Sequence, residues 1–445
     1  MFTQATGGPR PTPSRGSRVV AAGMAINLCL GILYAWSVWK ASLIATPDHP
    51  AGSAMTGINA GWEYLTNAQA TWAYAACGLT FALFMIPGGL AQDRFGAKFG
   101  ATLGGLLLGL GCVVAGLLKS YVGLIIGFGL LGGMGMGLGY AAATPAAVKW
   151  FGPQRRGLVV GLVVGGYGAA AVYISPLARY LIDHYGISGS FIGLGVLFAV
   201  VITLAAQLLV PPPEGHELAA APAAATARMG AAGAPSMSAT HWTGASMLRT
   251  WQYYAMVFLF LGSAQAGLLV IANAAPILNS TAKSVPMLAA NAWLLASFGG
   301  IVNAAGRVVT GFYSDKIGRR GAYLVNGLAA TVGLLLTPMI MRSGNVTLLF
   351  IAVGLAYWQY GGGLSLMPAM TADYFGARDL GFKYGLVFLG WGVAFLIPQI
   401  AGYIEDVTGN LDGAFYMSAG FLLAAIVLSR FLERPLAAGE MQPAA

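Results

Sequence analysis

The chain has 445 residues, of which 57% are hydrophobic and only 8% charged, with 23 Lys and Arg against 14 Asp and Glu, a net charge of +9. Soluble domains carry about 25% charged residues, so a soluble enzyme of this length could not keep its surface hydrated. Repeated apolar runs long enough to cross a hydrocarbon core of about 30 Å point to an all-α, polytopic membrane protein.

In chain order, a polar basic tail (1–18, with Arg10, Arg15 and Arg18) leads into an apolar run at 19–43, long enough to span and read as a first helix, not a cleaved signal. Further runs at 67–91, 99–118, 121–148, 157–182 and 188–210 complete a six-helix half over 19–210. The segment 211–250 begins PPPEGHE, continues through an Ala-rich tract and has no periodic apolar face, so it reads as a cytoplasmic linker. A second half over 251–431 has runs at 251–278, 286–312, 321–341, 346–372, 382–403 and 411–431, followed by a tail at 432–445. Twelve transmembrane helices in two bundles are expected.

Glycine, at 65 residues, recurs at helical spacing, as at Gly129, Gly133 and Gly137 or Gly100 and Gly104. Small residues at that spacing let helices approach closely in lipid. The three cysteines and four histidines form no metal-ligand or nucleophile–base set, so no metal, cofactor or catalytic residue is expected. Seventeen Lys and Arg fall on one side of the twelve spans and five on the other (Lys40, Lys119, Arg179, Lys283, Arg342). That bias places both termini in the cytoplasm of a cell-membrane protein. The net positive charge therefore reports topology, and no nucleic-acid-binding face is expected.

The halves repeat. GLAQDRFG (Gly89 to Gly96) and GFYSDKIG (Gly311 to Gly318) share G-x-x-x-D-[RK]-x-G 222 residues apart, and ARYLIDHYG (Ala178 to Gly186) matches AGYIEDVTG (Ala401 to Gly409) at 223. A third pair, starting at Pro145 and Pro368, keeps the same order. Parallel six-helix repeats around a central cavity are an architecture of alternating access. In the charged turns, Gly89, Asp93, Arg94 and Gly96, with Gly311, Asp315, Lys316 and Gly318, are the expected inner-gate residues, each Asp ending a helix and each turn closed by glycine.

Arg307 lies in the run FGGIVNAAGRVVTGFYSDKIGRR, four residues before Gly311 and eight before Asp315. At 1.5 Å per residue it sits about 12 Å deeper than that aspartate, in the middle third of the bilayer. A charge there is expensive and marks a polar pathway or a ligand; snorkelling to an interface is the plainer alternative. Subtracting 222 gives Met85, so the fold does not require an arginine at this place. No Asp or Glu falls convincingly inside a span, with Glu63 the nearest case, and an external anion is the natural partner. A guanidinium matches a carboxylate through two parallel hydrogen bonds. Tyr34, Trp36, Trp39, Tyr140, Tyr167, Tyr360 and Trp391 lie at similar depth and are expected to wall the cavity, although any one of them could equally be packing.

The repeated charged motif resembles the signature of the major facilitator superfamily, which implies its fold of two pseudosymmetric six-helix bundles and transport by rocking of the halves. GILYAWSVW, NAAGR (Asn303 to Arg307) and the stretch MLRTWQYY to GLLVIANAAP further resemble the oxalate/formate antiporter family and related bacterial monocarboxylate transporters. That resemblance implies that Arg307 pairs with the substrate carboxylate and that Tyr34, Tyr140, Tyr167 and Tyr360 line the cavity, with Asn303 and Trp391 beside them. Oxalate exchangers carry a second cation, a lysine in helix 11, where this chain has Trp391; Lys383 lies at the cytoplasmic end. A small monocarboxylate (lactate, formate, pyruvate or acetate-like) is therefore the expected substrate, with oxalate-type dicarboxylate exchange as the alternative. Eukaryotic monocarboxylate transporters carry an Asp one turn before the equivalent arginine, where this chain has Asn303, so proton symport and anion exchange both stay open. A monomer in lipid is expected; a transporter-like membrane sensor is the alternative of another class.

Overall fold

The computed structural model describes residues 13–151, 153–213, 242–376 and 380–435. The first half holds α1 (Pro13–Leu30), a 3-10 turn (Gly31–Ala35), α2 (Trp36–Leu43), α3 (Asn67–Phe95), α4 (Ala97–Leu118), α5 (Tyr121–Leu124), α6 (Gly133–Val148) and α7 (Pro153–Ala206). The second holds α8 (Gly244–Met247), α9 (Trp251–Thr281), α10 (Pro286–Ala290), α11 (Trp293–Ile317), α12 (Arg319–Ser343), α13 (Val346–Phe375), α14 (Leu380–Val393), α15 (Leu396–Thr408) and α16 (Asp412–Phe431). Among the described residues, ten helices are long and apolar enough to cross a membrane.

Several boundaries differ from the sequence reading for local reasons. The spans expected at 157–182 and 188–210 are joined through Gly186 alone, whose φ of 71° interrupts α7. Residues before it pack on α1, as Val163 does beneath Gly23, and residues after it pack on α4, as Ile192 and Ala199 do. The run expected at 286–312 divides into α10 and α11. The eleventh span, expected at 382–403, breaks at residues 394–395 and then continues to Thr408, because hydropathy falls at Glu405 and Asp406 although the backbone stays helical. Residues 242–250, expected as linker, fold onto the second half: Trp242 meets Phe375 edge-on and Met247 is fully buried.

The repeat is visible in the backbone. Gly96 and Gly318 close their charged turns with φ of 86° and 82°, and Gly186 and Gly409 have φ of 71° and 75°. Left-handed backbone at matching places in both halves requires glycine at each. Within the first half the expected glycine seams are present: a Cβ on Gly104 would stand 2.6 Å from the carbonyl of Gly135, and one on Gly137 would stand 2.7 Å from that of Phe81.

The two halves meet along α7 against α11 and along α3 against α14 and α15. Both seams are tight at the end opposite the charged turns and part toward those turns. On the first, Ser297 Oγ donates to the carbonyls of Ala171 and Val172, and Gly300 meets Val172 and Gly168. Beyond Arg307, a Cβ on Gly161, Gly165 or Gly311 would meet nothing within 4 Å. On the second, Gly78 touches Phe395 and Gly392 touches Ala82, whereas a Cβ on Gly89 would meet nothing. The halves thus form a V that is closed at the end carrying residues 44–66.

Candidate functional site

Arg307 sits on α11 where the first seam begins to part, and it is 6% exposed. Its Nε donates to Asn303 Oδ1 at 3.1 Å, one turn earlier on the same helix. Nη1 donates to the carbonyl of Val164 on α7 at 3.0 Å, and Nη2 donates to Tyr34 Oη at 3.1 Å. The guanidinium is therefore held by three neutral acceptors, two of them from the other half. Among the described residues it makes no ion pair with Asp or Glu. Gly168 permits this placement, since a Cβ there would approach Nε to 3.2 Å.

Tyr34 reaches Arg307 from the 3-10 turn, whose five residues are all buried. A Cβ on Gly31 would stand 2.3 Å from Ala170 Cβ, so only glycine lets that turn lie against α7. Tyr34 Oη also lies 2.7 Å from Tyr360 Oη, and Trp391 Nε1 donates to Tyr360 Oη at 2.9 Å. Tyr360 fits because three successive glycines bring α13 close to its neighbours. A Cβ on Gly361 would meet the Asn303 carbonyl at 2.2 Å, one on Gly362 the Asn326 amide at 2.7 Å, and one on Gly363 Ser263 Oγ at 2.0 Å.

A continuous chain of hydrogen bonds therefore runs from Trp391 through Tyr360 and Tyr34 to Arg307 and Asn303, crossing the boundary between the halves. With the Val164 contact, it uses one of the two phenolic hydrogens and three of the five guanidinium N–H groups. The cluster carries positive charge and more donors than acceptors, which suits an oxyanion.

Tyr167 packs edge-on to Tyr34 (centroids 5.0 Å apart) and to Tyr140 (5.4 Å). Tyr140 is half-buried and Tyr167 fully buried. Arg307, Asn303, Tyr34, Tyr140, Tyr167, Tyr360 and Trp391 are thus brought into one cluster. Trp36 and Trp39 are not in it: Trp36 stacks on Phe128 at 4.8 Å, Trp39 stacks on Phe191 at 5.2 Å, and Trp39 Nε1 donates to Ser190 Oγ. Both belong to the interior of the first bundle.

Sequence reasoning missed Phe81 and Phe388. Phe81 lies 5.0 Å from Trp391, 5.5 Å from Tyr140 and 5.9 Å from Phe388. The repeat carried the signal, because 222 residues before Asn303 is Phe81 and 224 before Phe388 is Val164, whose carbonyl Arg307 binds.

Among the described residues, two further cations are buried. Lys40, expected at a helix end facing out, is wholly buried, donating to Asn273 Oδ1 at 2.5 Å and lying 3.7 Å from Glu405 Oε2. Glu405 stands inside a helix with its side chain 19% exposed, so the expectation that the spans contain no acid fails there, whereas Glu63 is exposed in a loop. Lys383 is also buried and donates to the Phe375 carbonyl.

At the charged turns, Gly96 and Gly318 adopt the expected backbone, and Gly89 and Gly311 face open space. Asp315 pairs with Arg319 at 2.5 Å, and Arg319 also reaches Asp373 at 3.6 Å, tying the turn to the end of α13. Arg94 lies over the Phe95 ring, Lys316 is exposed, and the side chain of Asp93 lies outside the described residues. The bonds seen at Asp315 and Arg319 stay within the second half.

A family model described as Major Facilitator Superfamily matches residues 28–355 and 288–442. The chain is 29% identical to the oxalate:formate antiporter of Oxalobacter formigenes over 339 residues, covering 71% of this chain and 76% of that protein. It is 24% identical to monocarboxylate transporter 12 of Rattus norvegicus, covering 82% and 77%. A structure of the xylose transporter XylE from E. coli, in a partially occluded inward-open conformation, superposes with a TM-score of 0.66 at 14% identity, covering 94% of this chain and 98% of that one.

Proposed function

This chain belongs to the Major Facilitator Superfamily, and on that premise we propose that it is a secondary transporter of small monocarboxylates, with Arg307 as the anchor for the substrate carboxylate. Its relatives include transporters named for oxalate, formate and monocarboxylates, which fits a small organic anion.

The observation that carries the reading is the state of Arg307: a buried guanidinium bonded to neutral acceptors, without a carboxylate among the described residues. A buried charge without a counter-charge is costly, and an incoming carboxylate relieves that cost while meeting the spare donors of Arg307 and the Tyr34–Tyr360 pair. The preference for one carboxylate follows from the other buried cations. Lys40 is engaged by Glu405 and Asn273, Lys383 donates to the Phe375 carbonyl, and Trp391 occupies the position where oxalate exchangers, by resemblance, carry a second cation. Lactate-, formate-, pyruvate- or acetate-like anions fit this arrangement.

The bias of Lys and Arg supports twelve spans with both termini cytoplasmic, the halves spanning 19–210 and 251–431. In that orientation the V is open to the cytoplasm and closed outside. The motif residues Gly89, Asp93, Arg94, Gly96, Gly311, Asp315, Lys316 and Gly318 then flank the open inner end, which closes when the halves rock. Similarity to the oxalate:formate antiporter favours dicarboxylate exchange as the second reading.

Counterflow in proteoliposomes tests both. Labelled lactate, formate, pyruvate and acetate should enter against a trapped pool, with uptake lost in Arg307→Ala. Oxalate outcompeting every monocarboxylate would favour the second reading, and full uptake by Arg307→Ala would overturn the anchor role.

A further inference from the structure

Lys40 and Glu405 lie apart from the Arg307 cluster and join the two halves at the closed end of the V. Lys40 comes from α2 and is 0% exposed; Glu405 comes from α15 and Asn273 from α9. One ammonium of the first half is thus clasped between two helices of the second. The clasp is lopsided. Asn273 binds Lys40 at 2.5 Å and orients itself by donating to the Leu269 carbonyl, whereas Glu405 Oε2 stands 3.7 Å away and has no hydrogen bond.

Glu405 also has a second exposure. It lines a polar cavity of about 630 Å³ formed by the ends of α9 and α12 and the turn between α15 and α16. Lys283, Arg342 and Asn410 line that cavity too and are exposed. The carboxylate therefore faces a buried lysine on one side and a water-accessible vestibule on the other. The charged groups around it are Lys40 from α2, its neighbour Asp406, Lys283 after α9, Arg342 at the end of α12 and Asp412 at the start of α16. Three of these are settled without it: Arg342 binds Asp412, and Asp406 accepts from the backbone N–H groups of Asn67 and Ala68 at 2.8 Å each. Asp406 thus caps the start of α3 in the other half, where an anion is favoured. Glu405 is left as the counter-charge of Lys40.

We propose that Glu405 is a proton-binding site reached from the outer vestibule, and that its ionised form latches the outer end shut by pairing with Lys40. This rests on the transporter reading only for which face is outside. An ion pair of low exposure holds because each charge would be uncompensated alone. A proton on Glu405 leaves the Lys40 ammonium with the neutral Asn273 amide as its one remaining hydrogen-bond partner among the described residues. The drive to rehydrate that ammonium then favours parting of the halves at this end. Acid outside opens the outer face and alkali closes it, with Glu405 as the group that takes and releases the proton.

The latch is testable without any substrate. Thr56→Cys on the first half and Asn410→Cys on the second are exposed sites at this end, while the native Cys29, Cys77 and Cys112 are buried. Spin labels on this pair, in the full chain in nanodiscs, report the separation of the halves as pH is varied. The expected result is a shorter separation at high pH, a growing longer population at low pH, and for Glu405→Gln the longer population at every pH. Lys40→Gln should abolish the pH response in the same way, which guards against misfolding of either single variant. A wild-type separation that ignores pH, or a Glu405→Gln protein that keeps the wild-type pH response, overturns the proposal. Counterflow of labelled lactate, run in parallel, separates the two readings: absent transport with an intact pH response would refute the substrate and spare the latch.

Discussion

Arg307 and Tyr34 lie on opposite halves of the molecule, and the guanidinium donates to the phenol at 3.1 Å. The residue proposed as substrate anchor is therefore also a contact between the two halves. In the proposed mechanism, an anion that competed with Tyr34 for Nη2 would change how the halves hold each other and so couple binding to rocking without a separate relay.

Replacing the anchor should show what the charge and its shape each contribute. Truncating a buried, hydrogen-bonded charge contact costs about 2–5 kcal/mol, so Arg307→Ala should weaken monocarboxylate binding by about 30-fold or more. Arg307→Lys keeps the charge and loses the planar fork, and should recover part of the affinity. Isothermal titration of the detergent-solubilised protein measures both; equal affinities for wild type and alanine would refute the assignment.

The two phenols should behave as one unit. Tyr34→Phe removes a phenolic donor proposed to bind the substrate carboxylate, a hydrogen bond to a charged group with a net value of about 1.5–3 kcal/mol. KM for uptake should rise by roughly tenfold or more in this variant, and less in Tyr360→Phe. The double variant should fall short of the product of the singles, since the residues touch at 2.7 Å and contacting groups are not additive. Strict additivity in counterflow rates would contradict the shared network.

Two glycines on the neighbouring helices α13 and α11 should respond oppositely to a side chain. Gly361→Ala puts a Cβ 2.2 Å from the Asn303 carbonyl, an overpacking worth about 1–3 kcal/mol, so the melting temperature should fall and transport with it. Gly311→Val meets open space in this conformation, and the protein should stay as stable as wild type. Its transport should nevertheless slow, because the inner end must later close over that position. A Gly311→Val protein with normal turnover would mean that the gap is not a gate.

Phe81 should matter for shape more than for charge. It stands among Tyr140, Trp391 and Phe388, so Phe81→Ala should widen the cluster, cost about 3–5 kcal/mol of stability, and relax selection against longer monocarboxylates. Relative uptake of acetate and a longer homologue is the readout; an unchanged ratio would place Phe81 outside the cavity wall.

Much of this architecture is legible in the sequence. The 222-residue offset between the charged motifs reappears as matched left-handed glycines at Gly96 and Gly318, and the depth of Arg307 correctly joins it to Tyr34, Tyr360 and Trp391. Depth alone does not give direction around a helix, and there the reading of Trp36 and Trp39 fails. The 3-10 turn before them winds at three residues per turn in place of 3.6, so five such residues swing the start of α2 by about 100°. The tryptophans consequently face their own bundle. Glu405 is misplaced for a different reason: charge lowers hydropathy, and the expected span stops at 403 although the helix runs to Thr408; Lys40 lies inside the expected span 19–43, but its partners come from the other half. A salt bridge between residues so far apart in the chain leaves no local pattern.

The turn Gly31–Ala35 has a mechanical consequence. A 3-10 segment rises about 2.0 Å per residue against about 1.5 Å in an α-helix. Rewinding its five residues would shorten the first span by about 2.5 Å and rotate Lys40, beyond it, relative to α1. Tyr34 lies in this stretch and Lys40 comes after it, so one run of backbone touches both the proposed anion site and the closed seam. A change of pitch there would be felt at both places at once.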